Sequence, residues 1–449
     1  MKKQTKMMAV LSAAALMTAV APNLGNLAGS AHTVYARSTG WVQENGNWHF
    51  YESEDYYLTD TWKKYDRDWY YLDSDGLVAT DQIIDEYYVG ADGKRTAEKW
   101  VSVANEDDWD QWDAPEFFWY YFGKNGKMVT SKFQAVEGNW YYFNEEGRMQ
   151  TGLIEVDGAT YYLGDSTDGV MKRGWIELEN TSDDPDSETA WHYFESDGRM
   201  VENDVDKKIK GDYYTFVDGR MQTGWFKLPV ADTATDSDAA KAVNGIDGYQ
   251  YYEEETGKRA NGWFRMEGAP DISTEDEIYS FYFKNGKPYH ASTGLELFTI
   301  DSKKYAFNTK GEMQTGLQSV NVEGGTAFFY FGDDGVMKTG KQVIYNEDEG
   351  ENENWFFTTD GSKKGQGFHG VRDNLVYVNG RRQDADVELR YAPVTLDEVQ
   401  YLVNVSGVIQ KAGTSSSSAS KPELGKGFRD FKDDNGQIWT VDTNGIVQK

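Results

Sequence analysis

One phrase of apolar and polar positions recurs along the chain. From Gly138 to Gly152 it reads GNWYYFNEEGRMQTG: an aromatic run, Trp140 to Phe143, a polar turn ending at Gly147, then Met149 and Thr151-Gly152. Variants are WYYLDSDGLVAT from Trp69, WYYFGKNGKMVT from Trp119, WHYFESDGRM from Trp191, YYTFVDGRMQTGW from Tyr213 and FFYFGDDGVMKTG from Phe328. The turn glycine recurs from Gly76 to Gly445 and marks about sixteen units, with a shortest regular spacing of roughly twenty residues. Side chains alternate faces along a strand, so Trp140 and Tyr142 share one face and Tyr141 and Phe143 the other. In GWVQENGNWHFY, Asn45-Gly46 is a tight-turn signal between two strands, because both residues tolerate positive φ. Each unit therefore reads as a β-hairpin. A lone hairpin is marginal in water, and stacking on neighbours supplies the missing burial. The predicted fold class is all-β: a repeat solenoid of stacked β-hairpins with polar insertions at the hairpin tips.

Acidic and polar insertions fall around Asn105–Glu116, Asn180–Thr189, Val230–Gly248, Gly268–Glu277 and Tyr345–Asn354, each between a first strand and its aromatic strand. Lengthening a hairpin tip costs little closure entropy. The phrase is clear through residues 37–340. It decays over 341–411, where Trp355-Phe356-Phe357 and Leu375-Val376-Tyr377 persist but the Met and Thr-Gly are lost. Residues 412–426 begin AGTSSSSASK and read as a Ser-rich flexible linker. Residues 427–449 read as a terminal, atypical repeat.

The N-terminus reads as a processing segment. Lys2, Lys3 and Lys6 precede an apolar run from Met7 to Val20, too short for a comfortable membrane span. Val34-Tyr35-Ala36 supplies a small-x-Ala cleavage site, with Ala28-Gly29-Ser30 as the alternative, so residues 1–36 are expected to be a signal peptide and the mature chain to be secreted. No second run of spanning length follows.

Composition narrows the function classes. The 449 residues carry a formal net charge of −30, which argues against binding nucleic acid through phosphates and favours an attraction for cations. There is no cysteine, hence no disulfide framework, thiolate nucleophile or Cys metal site. No catalytic residue is expected: G-x-S-x-G, H-E-x-x-H and phosphate-loop patterns are absent. His49 and His192 stand in a slot that tyrosine fills elsewhere, and His290 and His369 lie in variable loops. Asp108-x-Asp110-x-x-Asp113 and Asp183-Asp184-x-Asp186 offer oxygen atoms but lack the spacing of a calcium loop, so no metal or other cofactor is expected.

Aromatics make up 15% of the residues. The pairs Trp41 with Trp48, Trp62 with Trp69, Trp100 with Trp119 and Trp175 with Trp191 each place one Trp at a strand start and one on the return strand. Such rings either form the core or, joined by an aromatic of the next hairpin, make a box for a quaternary ammonium group. The same platforms suit stacking against sugar rings.

The phrase GW…G-x-WYYF…DGxMxTGW resembles the cell-wall-binding repeat of choline-binding proteins; Asp218–Trp225 and Gly138–Gly152 are near-exact examples. Glucan-binding repeats look similar. The resemblance implies choline of teichoic acid seated between consecutive hairpins, in a box made by the Trp of GW, the Trp of WYY and an aromatic of the next repeat, with Met nearby. Carried onto this chain, the boxes are Trp41 and Trp48 with Tyr71; Trp62 and Trp69, followed by a weaker unit; Trp100 and Trp119 with Tyr142; and Trp175 and Trp191 with Tyr214. Met128, Met149 and Met200 fill the Met slot. The units at Leu153 and Leu317 replace the first Trp. Alanine at Trp140 is expected to disturb core packing, and alanine at Trp41 to weaken binding with little loss of fold. The resulting expectation is a non-enzymatic, secreted, cell-wall-associated protein that binds choline-bearing teichoic acid. The alternative is glucan or another oligosaccharide bound on the same platforms.

Overall fold

Antiparallel pairing of each leading strand with its aromatic strand sets which rings share a face. In the hairpin Lys99–Ala104 with Phe117–Phe122, Trp100 lies opposite Tyr121 and Ser102 opposite Trp119. Opposed residues project to one side. Trp100, Trp119 and Tyr121 therefore share a face, and Tyr120 and Phe122 take the other. The same register pairs Trp62 with Tyr71, Phe133 with Tyr142, Leu153 with Tyr162, Trp175 with Tyr193, Trp225 with Tyr251 and Trp263 with Tyr282. The second face is the core: Leu72, Phe122, Phe143, Leu163 and Phe194 are wholly buried, each contributing roughly 1.5–3 kcal/mol. The first face stays partly open, with Trp119, Trp140 and Trp191 exposed by 39%, 41% and 43%. Trp140 is thus not the core residue expected.

The computed structural model describes residues 39–105, 115–179, 189–229, 245–274 and 276–449. Among these, β-hairpins dominate and two short 3-10 turns are the only helices. Two compact bodies divide the chain, Met1–Glu202 and Asn203–Lys449. The first holds seven hairpins, from Gly40–Glu44 with Asn47–Ser53 to Gly174–Glu179 with Thr189–Phe194. Asn45 and Gly46, with φ of 52° and 90°, make the tight turn the sequence predicts.

Successive hairpins are joined by a recurring backbone bond. The N–H at the Met position of one unit donates to the carbonyl at the return-strand Trp position of the unit before. In the first body these bonds run from Val78 to Trp48 (3.1 Å), Arg95 to Trp69 (2.8 Å), Met128 to Glu86 (2.7 Å), Met149 to Trp119 (2.7 Å), Met171 to Trp140 (2.8 Å) and Met200 to Thr160 (2.8 Å). The second body repeats them, for example from Met313 to Ser280 and Met337 to Lys304 (both 2.9 Å). Met128, Met149, Met171 and Met313 each lie across the turn glycine of the following unit. A Cβ added to Gly147 would stand 2.6 Å from Met128 Sδ, and one added to Gly169 would stand 2.6 Å from that of Met149. Gly147 also has a φ of 77°. Glycine is needed there twice over, for backbone conformation and for room.

Among the described residues the second body holds nine hairpins, ending with Arg429–Lys432 paired to Ile438–Val441. Within residues 341–411 the hairpins persist where the phrase decays. The insertion at Tyr345–Asn354 extends the strands Gly340–Asn346 and Glu351–Phe357 and leaves a short tip. Residues 412–426 are not a flexible linker. Asp430 gathers the segment, accepting from the amides of Ala419 and Ser420 (2.8 Å each) and the hydroxyls of Ser418, Ser420 and Thr440. Against the opposing pull of desolvation, these donors hold its carboxyl below the usual carboxylate range. Serine composition suggested mobility; hydroxyls used as donors to one buried-edge carboxylate produce the opposite. The terminal unit keeps the inter-hairpin bond, from Val447 N–H to the Gln400 carbonyl at 2.8 Å.

Candidate aromatic binding sites

The Lys99–Ala104 leading strand and the Phe117–Phe122 return strand bring Trp100 and Trp119 to one face, with ring centroids 6.5 Å apart and planes at 78°. The next hairpin closes the corner with Tyr141, 4.8 Å from Trp100 at 73°. Phe143 lies 5.6 Å from Trp100 beneath it. Met149 packs in the cluster that holds Trp100, Tyr121 and Tyr141. The wall that faces solvent is Trp119. Burial raises the Tyr121 phenol above its ordinary range, and the carboxylates of Glu98 and Glu137 push it further. Those acids give the corner a negative surround. A cation must lie within about 6 Å of a ring centroid to feel its quadrupole. Two perpendicular rings 6.5 Å apart let one cation satisfy both.

The Gly174–Glu179 hairpin repeats this arrangement. Trp175 and Trp191 stand 6.5 Å apart at 79°, and Tyr193 lies 5.1 Å from Trp175. Tyr214 belongs to the second body; it is buried, which raises its phenol.

Two of the expected closing rings shift by one residue. Trp41 meets Tyr70 at 5.4 Å, whereas Tyr71 packs against Trp62 at 5.3 Å. Trp100 meets Tyr141, whereas Tyr142 packs against Phe133 at 4.9 Å. The reason is strand alternation: the first Tyr after the Trp position faces back to the preceding hairpin, and the second faces forward with its own leading residue. The Met positions shift by one unit. Met128 and Met200 bond to Glu86 and Thr160, where no tryptophan stands; Met149 alone of the three bonds beneath a two-Trp corner.

The other expected boxes differ from these two. Trp41 is half-buried and ringed edge-on by Phe50, Tyr65 and Tyr70, with its Nε1 buried without a partner. Trp48 lies on the same face, opposite Gln43, with its Nε1 equally buried. Trp62 meets Tyr87 at 5.3 Å, but the guanidinium of Arg95 lies over Tyr87 at 4.8 Å and over Trp69 at 5.6 Å. In the second body, Trp225 and Tyr249 make a comparable corner at 6.3 Å and 88°. Ala269 and Ile272 cover it, and Tyr249 donates to the Pro270 carbonyl at 3.1 Å. Sequence reasoning missed both fillings; arginine in the Met slot was the available signal for the first.

The histidines have other partners. His290 contacts Asp247 and the Ala291 carbonyl, and His369 contacts Asp397 and the Asn379 amide. His192 is buried in the inner-tyrosine position. Among the described residues no group of three or more His, Asp or Glu is placed to hold a metal ion. The acidic runs at 108–113 and 183–186 lie outside the described residues. No described helix is long and apolar enough to cross a membrane.

Hairpins in series with aromatic corners at their joints define a repeat protein with a partly exposed aromatic side. Choline-binding repeat models match residues 129–175 and 56–95, and a putative cell wall binding repeat matches residues 39–53 and 119–128. No curated protein matches the chain. Among solved structures, the modular autolysin LytC from Streptococcus pneumoniae, in complex with a synthetic peptidoglycan ligand, is similar at 19% identity and a TM-score of 0.38. That match covers 62% of this chain and 52% of LytC, so this chain spans about half of the autolysin's length. Choline binding protein F from Streptococcus pneumoniae is similar at 18% identity and a TM-score of 0.37, covering 74% of this chain and 99% of that one. The choline-binding domain of CbpL from the same organism gives 24% identity and a TM-score of 0.26, covering 41% and 97%.

Proposed function

We propose that this chain is a secreted, non-enzymatic protein that attaches to the cell wall by binding choline of teichoic acid, its hairpins stacked as a solenoid. The observation that carries this reading is the pair of matching corners, Trp100–Trp119 and Trp175–Trp191, each 6.5 Å apart, near-perpendicular and exposed on the second ring. A desolvated cation–ring contact contributes about 2 kcal/mol. Two rings give about 4 kcal/mol, a Kd on the order of 1 mM. Such weak sites hold a polymer only by acting together, since a second site engages at the high effective concentration set by the first. That fits a repetitive ligand better than a free one. The acidic chain adds long-range attraction for ammonium groups.

The test is retention on a choline-type quaternary amine resin, with salt and choline applied separately. Retention in high salt with release by free choline is the expected result. Release by salt alone would show ion exchange, and the aromatic reading would fall. Retention instead on dextran or starch, with release by sugar, would identify an oligosaccharide as the ligand.

A further inference from the structure

The corner at Trp62, Trp69 and Tyr87 has the rings of a cation site and already holds a cation. Arg95 stands in the Met slot: its N–H donates to the Trp69 carbonyl as that of Met149 does to Trp119. Its stem crosses Gly126, with Nε 3.0 Å from where a Cβ would stand, as Met128 crosses Gly147. The guanidinium then turns over Trp69 and Tyr87 at 5.6 and 4.8 Å. Among the described residues it forms no ion pair, although the chain's net charge is −30. Its charge is faced by rings. Arg259, another arginine in a Met slot, behaves alike: its N–H donates to the Tyr213 carbonyl and its guanidinium lies 4.1 Å over that ring, there with Asp206 as an ion-pair partner at 2.8 Å. A third, Arg382, crosses Gly407 in the same way, but its guanidinium is taken by Asp384, two residues on, at 2.6 Å. Arginine in this slot thus turns over the return-strand aromatic where no adjacent carboxylate claims it.

We infer that Arg95 is a built-in competitor that closes the Trp62–Trp69–Tyr87 corner to quaternary ammonium ligands, and that methionine in its place opens a choline site. This rests on the reading of the open corners as choline sites. A guanidinium satisfies the ring faces without a ligand, and a second cation entering beside it meets like charge at short range. Methionine leaves the stem packing over Gly126 intact and removes the charge. The residue in the Met slot therefore sets how many of the aromatic corners bind.

The experiment is titration calorimetry of the full chain with choline chloride in high salt, comparing wild type, Arg95→Met and Arg95→Leu. Each variant is checked by near-ultraviolet circular dichroism; two apolar substitutions guard against one that misfolds. One additional choline bound per chain in either folded variant, lost again on adding Trp69→Ala, is the expected result. Unchanged stoichiometry in a folded variant, with wild type binding choline, overturns this inference and leaves the open corners standing. No binding by wild type or by either variant overturns the choline reading itself, and this inference with it.

Discussion

Replacing Gly147 by alanine isolates the contact that joins one hairpin to the next. Two costs follow from the geometry. A φ of 77° is left-handed, which costs an alanine about 1–2 kcal/mol. The new methyl would also stand 2.6 Å from Met128 Sδ and 2.8 Å from its Cγ. Met128 packs with Val101, Tyr120 and Phe122 but is only half-buried, and its flexible thioether end can shift to relieve part of the clash. That places the overpacking at the low end of its usual range, about 1 kcal/mol. The sum is about 2–3 kcal/mol. Gly138, at a hairpin tip with φ of 85° and nothing within 4 Å of its absent Cβ, carries the backbone cost alone. Urea unfolding of both single variants, each also combined with Met128→Ala, forms a double-mutant cycle. Gly147→Ala should shift the midpoint more than Gly138→Ala, and Met128→Ala should abolish that excess without touching Gly138→Ala. Equal costs at the two glycines, or a Gly147 cost indifferent to Met128, would refute the close-packed joint.

Alanine at Phe143, wholly buried, should cost about 3–5 kcal/mol, while alanine at the exposed Trp140 should leave the unfolding midpoint nearly unchanged. Trp119→Ala and Trp191→Ala should each remove one choline per chain from the calorimetric stoichiometry while the circular dichroism spectrum is retained. Asp430 has a depressed folded pKa, so its stabilisation is full above the ordinary aspartate range and is lost as pH falls below about 4. Trp439 fluorescence should report opening of the last hairpin on acidification, and Asp430→Asn should flatten that dependence.

Much of this was readable from the chain. The alternation in Trp140-Tyr141-Tyr142-Phe143 assigns faces before any coordinate is known, because strand geometry leaves only two. The Asn45-Gly46 turn was equally local. What the sequence concealed were relations between units. Tyr70 and Tyr141, not Tyr71 and Tyr142, close their corners, because the face turned to the preceding hairpin depends on how hairpins are joined. Met149 rather than Met128 serves the Trp100 corner because the joining bond reaches back one whole unit. The Ser418–Ser420 stretch looked mobile because composition carries no information about Asp430 twelve residues on.

The bond between successive hairpins runs from backbone N–H to backbone carbonyl, and this separates two kinds of change. Its acceptor is carried by Trp69, Trp119 and Trp140 but equally by Glu86, Thr160, Ser280 and Lys304. Any side chain can stand on the acceptor residue without breaking the joint. A unit can therefore surrender its ring and keep its place in the row, or regain the ring without rebuilding its neighbours. Length and the number of open aromatic corners become independent variables: the row can be extended by units that only space, and its exposed rings gained or lost one at a time.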